Sequence, residues 1–258
     1  MIEISTTNRI RLLRLSRPES KNAFNEALYD DLTEALIEAD HDKNVAVVVV
    51  TGTGDSFSSG TDVVELGQRM GDSSFTPGKH GFPGLANKLI DFSKPLLCAV
   101  NGIGLGIGVT ILGLSDMVFM AESARVKCPF TDLALAPEAA SSFTFPQIIG
   151  RQNATWMLLS SEWISAEQCL EMGLAYKLCS DDELLDVTME HAYILAKKPI
   201  SSLIASKKVI VDPLREQIRS ARKREDVAFS ELLGKPANIE ALTAFAEKRD
   251  PDFSSLGE

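Results

Sequence analysis

The chain has 258 residues, with 26 Lys+Arg against 36 Asp+Glu, a formal net charge of −10, 45% hydrophobic and 24% charged residues. That composition excludes a disordered chain and suits one large core, because single cores stop growing at about 250–300 residues. The acidic balance argues against nucleic acid as the main ligand, whose binding rests largely on phosphate neutralisation.

Residues 9–15 alternate as a half-buried strand does. Phe24, Leu28, Leu32 and Leu36 then recur every four residues and predict a helix over 24–40. Val45 to Val50 is a β-branched run expected of a strand covered on both faces, ended by Gly52 and Gly54. The loop Asp55 to Asp62 follows. Six glycines and prolines between Gly71 and Gly84 make 67–93 read as a mobile loop region covering the ligand, and hence as the pocket wall. Leu96–Val100 predicts a second buried strand, Asn101-Gly102 a turn, 104–114 a helix entered through glycines, and Met117–Ala121 a third strand. Strands alternating with helices predict an α/β fold with right-handed crossovers. From about 145 the pattern is helical. Ser165-Ala-Glu-Gln168 matches a capping box and Gly173 a stop; further helices are expected over 213–233 and 237–247. This divides the chain into a core, 1–195, and a C-terminal helical region, 196–258.

The last 64 residues carry 12 Lys+Arg and 10 Asp+Glu, leaving the acidic excess to the core. Either a solvated amphipathic tail or a basic patch for an anionic ligand accounts for that. Cys98, Cys128, Cys169 and Cys179 form no Cys-x-x-Cys and sit beside apolar residues, as reduced thiols of a cytoplasmic protein would. His41, His80 and His191 lack ligand-like spacing, so no metal is expected. The N-terminus shows no signal peptide and the terminal Ser-Leu-Gly-Glu is not a peroxisomal address. Residues 95–115 are uncharged and long enough to span a bilayer, but Pro95 and five glycines make a poor membrane helix.

No P-loop and no Gly-x-Ser-x-Gly elbow is present, and Gly102 to Gly108 imitates a dinucleotide fingerprint only weakly. Two glycine-containing loops remain, Ser58–Asp62 and Gly104–Gly108, each following a buried strand. They read equally as ordinary connections or as two sets of free amides aimed at one oxygen, an oxyanion hole.

These loops, together with Arg17–Phe24, Val47–Val63, Lys94–Gly108, Phe130–Glu138, Ser165–Gly173 and Phe245–Phe253, resemble the enoyl-CoA hydratase/isomerase (crotonase) family over nearly the whole chain. The resemblance implies a spiral of ββα units, a C-terminal helical region that packs between subunits, and a homotrimer or hexamer. It implies an acyl-CoA thioester as ligand, with no further cofactor. By position it gives oxyanion amides to Thr61 and Ile107, and a CoA-lining role to Ser59, Gly60, Asp62, Val63 and Gly106. Lys21 matches a contact to the CoA pyrophosphate, against the plain alternative of a solvated lysine, and Lys248 is a further phosphate candidate. The two glutamates with which hydratases activate water fall on Thr110 and Phe130, neither able to exchange a proton.

Glu138 is the only ionisable residue between Asp132 and Arg151. On the residues alone, a glutamate opening a helix after Pro137 is the simpler account. The run Pro137 to Pro146, however, is similar to the branch that isomerises 3-enoyl-CoA to 2-enoyl-CoA in fatty acid oxidation, where the matching glutamate is the sole acid/base. An apolar setting raises a carboxyl pKa as a general base requires. The expectation is therefore an isomerase with Glu138 as proton shuttle. The alternatives are another crotonase reaction, such as hydration or ring or dienoyl-CoA isomerisation, and a non-catalytic acyl-CoA-binding protein.

Overall fold

The computed structural model describes residues 1–71 and 75–256. Residues 72–74 of the 67–93 stretch, and Gly257 and Glu258 of the terminal tetrapeptide, lie outside the described residues. The chain opens with β1 (Ile2–Thr7) and β2 (Ile10–Leu15), an antiparallel pair turned by Asn8 and Arg9 at positive φ. Helix α1 (Glu26–His41) is capped by the Asn25 side chain, which accepts the Leu28 amide, and it buries the Leu28, Leu32 and Leu36 stripe. The valine run becomes β3 (Val47–Gly52), buried at every position.

From there the chain repeats one pattern, a long strand followed by a short one. β3 is followed by β4 (Ser56–Ser58), α2 (Val63–Gly71) and α3 (Gly81–Asp91). β5 (Leu96–Val100) is followed by β6 (Ile103–Leu105) and α4 (Ile107–Thr110), which passes into a 3-10 turn over Ile111–Leu114. β7 (Met117–Ala121) is followed by β8 (Arg125–Lys127) and α5 (Ser141–Ser160). The last strands are β9 (Ile164–Ser165) and, after α6 (Ala166–Met172), β10 (Lys177–Cys179). The long strands, joined by the short β10, and the remaining short strands form two sheets, of order β1-β2-β3-β5-β7-β10 and β4-β6-β8-β9. This is the expected spiral, an α/β fold whose first sheet is parallel from β2 to β10. Three helices complete it: α7 (Leu184–Ala196), α8 (Ile200–Leu232) and α9 (Pro236–Glu247).

Three expectations are corrected. The 67–93 stretch is not a loop throughout: it carries the end of one helix and the whole of another, with 75–80 irregular. Pro83 stands in the first turn of α3, where an N–H has no intrahelical acceptor to lose, and Gly84 packs so closely on His80 that a Cβ would lie 2.6 Å from the His80 Cβ. Residues 104–114 split into strand end, one helical turn and a 3-10 turn rather than one helix. Helix α8 begins at Ile200, not at Pro213, and runs through that proline. Its first half is anchored by buried Lys207, which donates to the Lys94 carbonyl (2.9 Å) and the Asp116 carboxylate (2.7 Å). Ser165 and Gln168 do form the capping box, and Gly173 ends α6 in the left-handed region.

All four cysteines are free and buried, and burial pushes the Cys98 and Cys169 thiols up to about 12. Among the described residues no helix is long and apolar enough to cross a membrane.

Candidate active site

The first loop is held by a side chain the sequence did not single out. Asn22 is fully buried at positive φ. Its oxygen accepts the Arg17 amide (2.9 Å) and the Thr53 hydroxyl (3.1 Å), while its nitrogen donates to the carbonyls of Thr53 (2.9 Å) and Ser56 (2.8 Å). Around it, Ser59 donates its amide to the Lys21 carbonyl, Phe24 donates to Gly60, and Asp62 donates to Phe24. With the Gly60 carbonyl and Asp62 amide both turned towards Phe24, the intervening Thr61 N–H points away; no hydrogen bond among the described residues takes it. The Thr61 hydroxyl meets the buried Tyr29 hydroxyl at 2.9 Å.

The second loop comes up against the first. Gly60 (φ 89°) and Gly106 (φ 50°) both need the freedom of glycine. A Cβ on Gly60 would stand 3.0 Å from the Leu105 carbonyl oxygen, and one on Gly106 would stand 3.9 Å from the Gly60 Cα. Gly106 precedes α4, so Ile107 supplies the first helical N–H, which has no acceptor within its own helix. The Ile107 side chain is buried in the core.

Both loops border a cavity of about 1010 Å³. Ser59, Gly60, Thr61, Asp62, Val63 and Gly106 line it, as the resemblance implies. The Asp62 carboxylate is already occupied: it pairs with Arg17 (3.2 Å) and accepts the Val64 and Glu65 amides at the start of α2. Lys21 is exposed and next to the lining residue Ser20; Lys248 is exposed and next to the lining residue Arg249. The walls differ from expectation. Among the described residues, nothing between 75 and 93 lines the cavity; Leu66 of α2, Phe229 of α8, and Ala241 and Phe245 of α9 do. Their apolar character was legible, but only tertiary packing shows which cavity they face.

Glu138 lines the same cavity. Its side chain is half-buried, and burial first, then the Glu225 and Asp226 carboxylates, push its pKa up to about 8. It does not open a helix. Ala139 (φ 56°) and Ala140 (φ 62°) follow it in the left-handed region, and α5 starts only at Ser141. The orphan amides at that helix start are taken by Glu225 of α8, which accepts from Ala140 (2.6 Å) and Ser142 (2.8 Å). The dipole account of Glu138 therefore belongs to Glu225. Of the two positions where water-activating glutamates would stand, Phe130 lines the cavity, whereas Thr110 is fully buried and lines none of it. Of the other lining acids, Glu65 and Asp132 are engaged, by the Glu26 amide (2.7 Å) and Lys127 (2.7 Å), and Asp250 stands beside Arg249 after α9.

The family model described as enoyl-CoA hydratase/isomerase matches residues 5–256. A 2,3-dehydroadipyl-CoA hydratase of Escherichia coli is 31% identical over 97% of each chain. The rat enoyl-CoA delta isomerase 2 is 30% identical over 96% of this chain and 64% of its own length. Among solved structures, an enoyl-CoA hydratase of Mycobacterium marinum is 56% identical, covering 82% of this chain and 99% of that one, with a TM-score of 0.80. An enoyl-CoA hydratase/isomerase of Pseudoalteromonas atlantica is 34% identical over 98% of this chain and 99% of its own, with a TM-score of 0.90.

Proposed function

The chain belongs to the enoyl-CoA hydratase/isomerase family, and within it we propose that this protein moves the double bond of a 3-enoyl-CoA thioester to the 2-trans position. The observation that carries this reading is Glu138, a carboxyl in the cavity wall with a pKa near 8, in a site with no proton-exchanging side chain at 110 or 130.

The thioester oxygen accepts the Thr61 and Ile107 amides, each donor being worth about 2.7–4 kcal/mol where such holes have been dissected. Ionised Glu138 takes a proton from the carbon alpha to the thioester. The electron pair spreads through the 3-ene as a dienolate, with its charge on the oxygen held by the two amides. Glu138 then returns the proton to the gamma carbon and is ionised again. The double bond has moved one place with no oxidant, water or second base. The pKa near 8 suits both halves, since a shuttle must release its proton as readily as it takes it. Ser59, Gly60, Asp62 and Val63 line the CoA segment, and Lys21, with Lys248 as a second candidate, meets the CoA phosphates.

The test is a panel of 3-enoyl-CoA substrates followed for conjugated product, with wild type and Glu138→Gln side by side. Expected is turnover by the wild type, its loss by at least about 1,000-fold in the variant, and CoA-ester binding retained in both. Turnover unchanged in Glu138→Gln removes that residue from the chemistry. Hydrated product in place of isomer assigns a hydratase, and no turnover across the panel assigns a binding protein.

A further inference from the structure

Glu225 lies 87 positions beyond Glu138 in the chain, is buried, and lines no part of the cavity. Its two carboxylate oxygens each accept one backbone amide, Oε2 from Ala140 and Oε1 from Ser142. Those amides flank a turn in which two consecutive alanines adopt positive φ, a conformation that costs a residue with a Cβ and persists only where surroundings over-determine it. Backbone amides of a turn that point the same way cradle an anion, and here the two are those of Ala140 and Ser142, with the Ser141 amide between them turned to the Glu138 carbonyl. Here the anion is a side chain of the chain's own C-terminal region. The same turn is pinned from within by Ser141, whose amide (3.0 Å) and hydroxyl (2.6 Å) both donate to the Glu138 carbonyl.

We infer that Glu225 is a positioning residue for the proposed isomerisation: its carboxylate holds the strained Glu138–Ser142 turn and so aims Glu138 into the acyl cavity. The inference rests on Glu138 being the proton shuttle. Position and charge act together, because Glu225 is also the like charge that acts most strongly on Glu138. The other groups facing Glu138 are Asp226 of α8, Tyr29 of α1 and Cys128 after β8. Arg222 stands 3.8 Å from Asp226, and Lys127 and Asp132 occupy the cavity wall. Of these, only Glu225 bonds to the turn itself among the described hydrogen bonds.

Glu225→Gln removes the charge and one acceptor; Glu225→Asp keeps the charge but draws it back from the amides. In Glu225→Gln, kcat is expected to fall roughly 10- to 100-fold with KM within threefold, and the acidic limb of the kcat profile to move down by about one pH unit. In Glu225→Asp, kcat should fall about tenfold with the limb in place. In Glu225→Gln, folding damage alone would scale kcat and leave the limb where it was, and that outcome overturns the inference. Wild-type kcat and limb in Glu225→Gln, or wild-type kcat in Glu225→Asp, overturn the inference. Should the wild type turn over no 3-enoyl-CoA, the proposed reaction fails separately. The inference is then decided by urea unfolding: the pH-dependent stability difference between wild type and Glu138→Gln should shrink when both carry Glu225→Gln, and an undiminished difference overturns it.

Discussion

Replacing Glu138 by glutamine should change how folding stability depends on pH, whatever the substrate. The ordinary carboxyl value is 4.5 and burial with two neighbouring carboxylates takes Glu138 to about 8. The folded chain therefore binds the proton more tightly than the unfolded chain. Its stabilising contribution is fully present below about 4.5 and is lost as pH rises through about 8. At 1.36 kcal/mol per tenfold change in proton affinity, the loss has a ceiling of about 5 kcal/mol. Water entering the cavity screens part of it, leaving roughly 2–4 kcal/mol. Glutamine has no proton to lose, so any cost of its amide is a constant offset. Urea unfolding from pH 5 to 9 at one protein concentration measures the comparison directly. Glu138→Gln should gain on the wild type steadily across that range and level off above about 8. A difference that stays flat within about 0.5 kcal/mol would refute the claim that the cavity wall favours the neutral form of Glu138.

Asn22→Ala removes four hydrogen bonds at a fully buried position and leaves the Thr53 carbonyl and the Arg17 amide without those partners, so a stability loss of about 3–5 kcal/mol is expected in the same unfolding assay. Its thioester affinity should fall too, because Asn22 ties the Lys21–Phe24 segment to the loop bearing Thr61. The family resemblance implies a trimer, and Trp156 and Leu159 of α5 are 59% and 61% exposed in the single chain. Light scattering should give a mass of three or six chains, reduced by Trp156→Glu with Leu159→Glu; an unchanged monomer mass in the wild type refutes it.

How much was legible depended on how local the cause was. Val45–Val50 announced β3 because a strand buried on both faces must be apolar at every position, and Ser165 with Gln168 announced α6 because a capping box is closed within four residues. The strands of the second sheet were not read, since β4, β6 and β8 have three residues each and β9 two, too few to show a period of two. Gly and Pro between 71 and 84 misled for a related reason: in a helix's first turn or against a close neighbour they are tolerated, and only the packed structure says which applies. The site divided in the same way. Glu138, Thr61 and Ile107 sit in contiguous segments whose resemblance to the family is strong. Glu225 has no signature of its own, because its partners are amides more than 80 positions away. Among the basic residues of the C-terminal region, Lys207 and Arg222 are buried inside the protein, which neither reading of that charge anticipated, while Lys248 and Arg249 are exposed beside the cavity.

Phe229, Ala241 and Phe245 line the cavity, and all are translated after the strands of both sheets. Both sheets can assemble on the nascent chain well before this happens, yet the ligand chamber has no far wall until α9 docks. A fragment released early would thus carry a complete strand framework and an open trough. Occupancy of the chamber by a ligand would report that synthesis has passed α9.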